Sequence, residues 1–476
     1  MKYSKLLLSS ILAGLVFIPL LSAQGKGISE SLAKEAQQLS EAALEENIAY
    51  EVVESLTTEV GARLAGSEAE KRARSWAVAK LKELGFENVH EEPFEVPLWE
   101  RGIERAEIVS PFPQQLTVTA LGGSVATPEE GVVGELIRFS SVKELEAQPQ
   151  GSLKGKIVFI DEIMTRTQDG SGYGEAVGKR RQTAYEAYKK GAAGALIRSV
   201  GTSSHRFAHT GQMKTITEIT EEIDSVPTAA LSAPDADQLT RALERTDSIQ
   251  IRLQLTPKFE PASISGNVIG EIVGTESPEE VIIIGGHLDS WDLGTGAIDD
   301  GAGIGITVAA ARLIKDHYPN GLKRTIRIVM WGSEEVGLVG AKAYADAHAD
   351  ELDNFIVAAE SDFGAGKIWK FNSFFAEEKL NYLSEIADVL RPLGIAKGDN
   401  KASSGPDVGA LKAKGVPIVS LQQNGWDYFD LHHTPNDTLD KIDPDELAQN
   451  VAAYAAFVYL AAQIEDDFRA EDSDIN

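Results

Sequence analysis

The chain has 476 residues, a hydrophobic fraction of 43% and a formal net charge of −28. That length exceeds one ordinary core, so two or three domains are expected, and the mix of apolar and charged residues excludes a disordered chain. The acidic balance opposes binding to nucleic acid or anionic lipid, and the lack of cysteine excludes disulfides, thiolate metal ligands and a cysteine nucleophile.

Residues 1–23 read as a secretory signal peptide. Lys2 and Lys5 precede an apolar run from Leu6 to Leu21, which ends in the small residues Ser22 and Ala23. The run falls short of the roughly 20 residues a spanning helix needs. Cleavage near Ala23 is therefore expected in place of an anchor, and no cysteine follows to carry a lipid. The mature chain, with two lysines fewer, is expected to be soluble, secreted or periplasmic, and free of the membrane.

Helical apolar spacing marks residues 29–58. A second helix is predicted from Ser67 to Leu84, with Ser67 and Glu70 as a capping box and Gly85 as its stop. From about Pro111 to Pro261 the texture changes to short β-rich pieces, Leu116 to Leu121, Gly155 to Ile160, Ala195 to Ser199 and Ile249 to Leu255, with one helix at about Gln182 to Lys190. This predicts a smaller β-rich domain, residues 113–262, spliced between residues 24–112 and 263–476 of a larger one. From Asn267 onward strands and helices alternate. Strands are predicted at Val281 to Ile284, Thr325 to Trp331, Asn354 to Ala359 and Pro417 to Leu421. Helices are predicted from Gly303, Gly337, Lys379 and Leu447. The fold class expected is α/β, with a mainly parallel central sheet flanked by helices.

The residues that carry chemistry fall just past these strands. His287, Asp289, Asp299 and Asp300 follow the first, Glu334 and Glu335 the second, and Glu360 and Asp362 the third. His432 and His433 stand in a loop before the last helix. Ligands of open α/β sheets bind beyond the carboxyl ends of the strands. Carboxylates gathered there repel one another unless a cation offsets them. Nitrogen and oxygen donors without sulfur suit catalytic zinc, and five such ligands for two ions require one shared carboxylate. Each residue alone has a plainer reading. A loop histidine is usually hydrogen-bonded at the surface, Glu334 and Glu335 could open a helix, and Asp362 could cap a turn. The ordered series of clusters at strand ends favours the metal site. His90, His317 and His348 lie elsewhere and read as solvated, while Tyr428 and the loop Ser403 to Asp407 are candidates for shaping the pocket.

The segments GHLDSWD, GAIDDGAG, WGSEEVGLVGA, ESDFGAG and HHTPNDTL resemble the motifs of the co-catalytic di-zinc exopeptidases related to bacterial leucyl aminopeptidase. The likeness extends through VGARLAGS, PLWERG, KGKIVF, GALIRSV and AHTG to nearly the whole mature chain. It implies two Zn2+ per chain, one held by His287 and Asp362, the other by Glu335 and His433, with Asp299 bridging. It implies Glu334 as general base and Asp289 as the residue that orients His287. His433 is preferred to His432 because the ligand precedes a Thr-x-x-Asp stretch, here Thr434 to Asp437, and Asp299 to Asp300 as the earlier of the pair. His432, Tyr428 and His209 are carried as candidate substrate contacts. The resemblance further implies a short peptide or dipeptide substrate with free termini, a homodimer, and a protease-associated-like insertion acting as lid or wall. Competing readings are an aminopeptidase acting on longer peptides, a catalytically silent receptor-like relative, and a single-zinc cyclase-like acyltransferase. The complete second ligand set weighs against the last two.

Overall fold

The computed structural model describes residues 27–213 and 225–470, so the signal peptide expected at 1–23 lies outside the described residues. The strand Ser277–His287 lies at the heart of the fold. Its β-branched run alternates between two cores: Ile282 and Ile284 face one hydrophobic cluster, Val281 and Ile283 the other. A strand buried on both faces has no polar side, which is why its sequence reads as continuous Val and Ile.

Eight strands form this sheet in the spatial order Glu87–Glu100, Lys258–Ile272, Arg324–Trp331, Ser277–His287, Phe355–Glu360, Ile418–Gln423, Ile368–Phe374 and Ala396–Lys397. The four strands from Arg324–Trp331 to Ile418–Gln423 run parallel, while the flanking pairings made by Lys258–Ile272 and by Ile368–Phe374 with Ile418–Gln423 are antiparallel. The sheet is thus mixed around a parallel centre, where the sequence led us to expect a mainly parallel one. The edge strand escaped detection because EEPFEVP carries two prolines among acids, a composition tolerated only at a sheet edge.

Helices Ala302–His317 and Pro444–Gln463 cover one face together with Glu30–Ala43 and Ile48–Glu59. Val339–Ala347 and Val408–Ala413 lie over the other. The helix predicted from Ser67 is Glu68–Glu83, with the Ser67 hydroxyl accepting from the Glu70 amide and Gly85 at φ +79° ending it. No helix among the described residues is long and apolar enough to cross a membrane. His348, expected to be solvated, instead holds Glu92 at 2.9 Å through Nε2.

A second eight-stranded sheet takes its strands from Glu104–Ser110 through Gln250–Leu255. Val132–Phe139, Ile157–Ile160, Gly194–Arg198 and Thr228–Leu231 run parallel within it, and the helices Ser171–Lys189 and Ala233–Leu243 accompany them. This layer is α/β, not simply β-rich. Its main helix begins at Ser171, well before the predicted Gln182; Gly172, Gly174 and Gly178 interrupt the apolar period and lower helix propensity, which hid the first part of the helix in the sequence. The chain departs at Glu100 and returns at Lys258, which face each other across one antiparallel pair. The residues between them build the second sheet, and the ladder beside this attachment carries a register shift between Val96 and Leu98.

Gly303 sits where helix Ala302–His317 meets the strand end before Asp362. A Cβ there would stand 1.9 Å from the Ser361 carbonyl oxygen and 2.4 Å from the Asp300 carboxylate. Gly303→Ala is expected to lower the unfolding free energy by about 1–3 kcal/mol, the usual cost of overpacking. Urea unfolding checks this, and an unchanged midpoint would refute the close contact.

Candidate metal centre

Strand termini place most of the candidate side chains. The strand expected to end near Ile284 continues to His287, so that ring is held by the sheet and not by a loop. Asp299 and Asp300 occupy the tight turn before helix Ala302–His317, with a cis peptide between them. Glu334 and Glu335 follow Arg324–Trp331, Asp362 follows Phe355–Glu360, and His432 and His433 follow the short helix Tyr428–Leu431.

Asp299 is the meeting point. Its Oδ1 lies 3.0 Å from His287 Nε2, and its Oδ2 lies 3.2 Å from His433 Nε2. Each histidine has a second acid: Asp362 at 3.5 Å from His287, and Glu335 at 3.0 Å from His433. His432 stacks on His433 with ring centroids 3.5 Å apart, and its Nε2 is 3.7 Å from Asp299.

Backbone groups and further acids fix this cluster. His287 Nδ1 lies 2.8 Å from the Asp289 carbonyl oxygen, a bond that makes Nδ1 the donor and turns the Nε2 lone pair inward. The Asp289 carboxylate stands further from that ring, at 3.8 Å, and accepts the amides of Glu334 (3.0 Å) and Glu335 (3.3 Å). Asp300 accepts the amides of His287 and Gly303. Asp437 accepts those of Ile298 and Asp299. Beneath them the fully buried Arg63 donates to the carbonyls of Thr295 (2.7 Å) and Gly296 (2.9 Å). Ser333 and His433 hold left-handed φ values of +62° and +61°, a strain that surrounding structure must enforce.

The electrostatics call for added positive charge. Burial, then repulsion from Asp362, Glu335 and Asp289, push the Glu334 carboxyl well above its usual range, with His287 opposing. Burial and Asp299 push Glu335 up as well. Burial also works against ionisation of Asp299, but hydrogen bonds from His287 and His433 outweigh it and hold that carboxyl well below the usual range. Asp299 Oδ2 and Glu335 Oε1 are buried without a hydrogen bond of good geometry among the described residues. Donor atoms of His287, Asp299 and Glu335 lie within 4.8 Å of one another, as do those of Asp299, His432 and His433. An all-nitrogen and oxygen donor set with unsatisfied buried carboxylate oxygens fits zinc.

Asp299, Glu334, Glu335, Asp362, His432 and His433 line a cavity of about 970 Å³. Tyr428 lines it too, its ring 5.2 Å from that of His432. His209 lies behind His432, its Nδ1 donating to the His432 carbonyl at 2.8 Å. The second sheet's layer reaches the same place: Tyr173 and Arg180 of helix Ser171–Lys189 line the cavity, and Thr210 offers its carbonyl to His433 Nδ1 at 3.3 Å. Arg101 locks the two layers through Asp292, at 2.7 and 2.8 Å. Arg63, Tyr173 and Arg180 were not singled out from the sequence, whereas Glu360 was, at the strand end before Asp362. The Glu360 carboxyl, beside Asp407, is pushed up to about 8, first by burial and then by Asp362. Arg63 alone had a signal, within VGARLAGS, without a role attached.

This fold and donor cluster define a metallopeptidase. The model for "Peptidase family M28" matches residues 267–458. Carboxypeptidase Q of Bos taurus is 36% identical over 423 residues, covering 88% of this chain and 86% of that one. The crystal structure of a peptidase M28 precursor from Shewanella amazonensis SB2B is 49% identical, with a TM-score of 0.90 over 93% of this chain and 99% of the other. BSAP, a zinc aminopeptidase from Bacillus subtilis, shares the fold, with a TM-score of 0.62 at 21% identity over 88% of this chain and 95% of its own. The chain belongs to peptidase family M28, beside carboxypeptidase Q, and is a zinc-dependent metallo-exopeptidase.

His209 supplies a test of how tightly this region is sealed. Burial pushes its imidazole down to about 4 from 6.5. Below pH 6.5 the unfolded chain takes up a proton that the folded one refuses, so stability falls as pH drops from 6.5 toward 4, by up to about 3 kcal/mol. Urea unfolding of metal-free protein at pH 7 and pH 5 is expected to show a smaller acid loss in His209→Gln than in wild type. Equal losses would mean that the site is wet.

Proposed function

We propose that this chain is a secreted or periplasmic di-zinc exopeptidase that cleaves short peptides or dipeptides with free termini. One observation carries the reading: a single carboxylate, Asp299, addresses two histidines through different oxygens, and each histidine has its own acid. In this reading His287 and Asp362 would hold one zinc, Glu335 and His433 would hold the other, and Asp299 would be shared. When bound, zinc supplies a Lewis acid for the scissile carbonyl and activates water near neutral pH.

Glu334 takes the proton of the attacking water, keeps it on its carboxyl, and hands it to the amine nitrogen as the carbon–nitrogen bond breaks. Its carboxylate lines the cavity beside Glu335, the place from which both steps can be served. The amides of Glu334 and Glu335 donate to the Asp289 carboxylate and are held side by side, so one residue can ligate while its neighbour exchanges protons. His432 and Tyr428 face the substrate from the cavity wall, and His209 supports His432 from behind. The inserted unit, placed at residues 113–262 and read as protease-associated-like, forms the opposite wall. Homodimerisation belongs to the same reading, and sedimentation at micromolar concentration tests it.

Glu334→Gln is expected to lower dipeptide hydrolysis by about 10²–10⁴-fold, the usual contribution of a general base, with zinc content still near two per chain. Activity within threefold of wild type would overturn the assignment. Asp299→Ala is expected to leave fewer than two zinc ions per chain by elemental analysis, and full occupancy would refute a shared carboxylate.

A further inference from the structure

Helix Ser171–Lys189 brings a buried cation to the cavity wall. Arg180 is 5% exposed. Its Nη2 donates to the Tyr173 hydroxyl at 2.5 Å, and its Nη1 stands 3.3 Å from His433 Nδ1. Its Nε is buried with no hydrogen-bond partner, and no carboxylate among the described residues forms an ion pair with it. A buried guanidinium without an anion is costly and calls for one.

The surroundings hold this group in place. Tyr173, beneath the guanidinium carbon at 5.4 Å, stacks on Phe429 at 4.8 Å with the rings 12° apart. The other Lys and Arg side chains that line the cavity among the described residues differ in kind: Arg181, Lys342 and Lys401 are exposed, and the Lys370 ammonium sits over the Trp369 ring at 4.8 Å. The floor itself is acidic, with Asp299, Glu334, Glu335 and Asp362. An anionic substrate group can approach only where a fixed positive charge faces it. Arginine presents a planar fork that matches a carboxylate with two parallel hydrogen bonds.

We propose that Arg180 receives the free α-carboxylate of the residue on the leaving-amine side of the scissile bond, so that the enzyme prefers dipeptides and other short peptides ending there. Arg180 lines the same cavity as Glu334 and Glu335, and its Nη1 stands 3.3 Å from Nδ1 of His433, so a group that it receives belongs to a substrate residue adjoining the Asp299 cluster. The inference rests on the exopeptidase reading and adds the end of the substrate that is recognised. A carboxamide in the same place would leave the guanidinium uncompensated, which is the strongest form of discrimination a buried polar group offers.

The test compares a dipeptide with its carboxyl-terminal amide on the zinc-loaded enzyme. Wild type is expected to favour the free acid by about 10²-fold in kcat/KM, and Arg180→Gln to lose about that factor on the acid while changing less than about threefold on the amide. Arg180→Lys is expected to recover part of the loss. Calorimetric binding of both ligands to the inactive Glu334→Gln protein, with and without Arg180→Gln, should show the same preference without turnover. Equal cleavage of acid and amide by wild type would overturn the proposal, even if Arg180→Gln fails to fold. Equal loss on both substrates in the variant would also overturn it, leaving Arg180 as a support for His433. Failure of wild type to cleave any peptide would instead overturn the exopeptidase reading.

Discussion

Crowding of negative charge around Asp299 is the constraint under which the rest of the structure operates. Asp289, Asp300, Glu335, Glu360, Asp407 and Asp437 are all buried around it, together with the histidines that approach its two oxygens. Left uncompensated, such a cluster would drive its own carboxyls to take protons or drive the strands apart. The protein answers in two ways. Acids facing away from the cluster's centre are satisfied by backbone amides, as Asp289, Asp300 and Asp437 are. Those facing inward keep unsatisfied oxygens, which leaves room for divalent charge.

The second sheet takes part in this arrangement and is not an appendage. It supplies the carbonyl of Thr210 to one ring nitrogen of His433, the support of His209 behind His432, and, among the described residues, the only buried arginine that lines the cavity. Trp291, from the loop after His287, is packed at the junction, 6.4 Å from Trp99 and 5.7 Å from His433. Gly122 permits this contact, since a Cβ there would lie 2.1 Å from the Trp291 ring. The cavity is thus lined by two layers that meet on a few shared side chains.

Much of this was legible in the sequence where burial is two-sided. Strands such as Ser277–His287 and Phe355–Glu360 declare themselves as unbroken apolar runs, and the ligand-type residues stand at their ends, so placement follows from chain order alone. The antiparallel flank did not show, because Glu87–Glu100 alternates polar and apolar residues with proline among them. Arg63, Tyr173 and Arg180 were missed for a different reason. Their importance lies in long-range contacts, 225 or more residues apart for Arg63 with Leu288 and 253 for Arg180 with His433, and nothing local in the sequence encodes such distances. The glycines in the first half of helix Ser171–Lys189 concealed that half, while its end from Gln182 was legible.

The place where the chain leaves and rejoins the first sheet has a consequence for how such enzymes diversify. Glu100 and Lys258 are cross-strand neighbours, so everything between them hangs from two adjacent points. A graft at that position closes a loop whose ends are already together, and the entropic penalty grows only slowly with the length inserted. The hanging segment can therefore lengthen or shorten while Glu100 and Lys258 stay opposite each other at the sheet's edge.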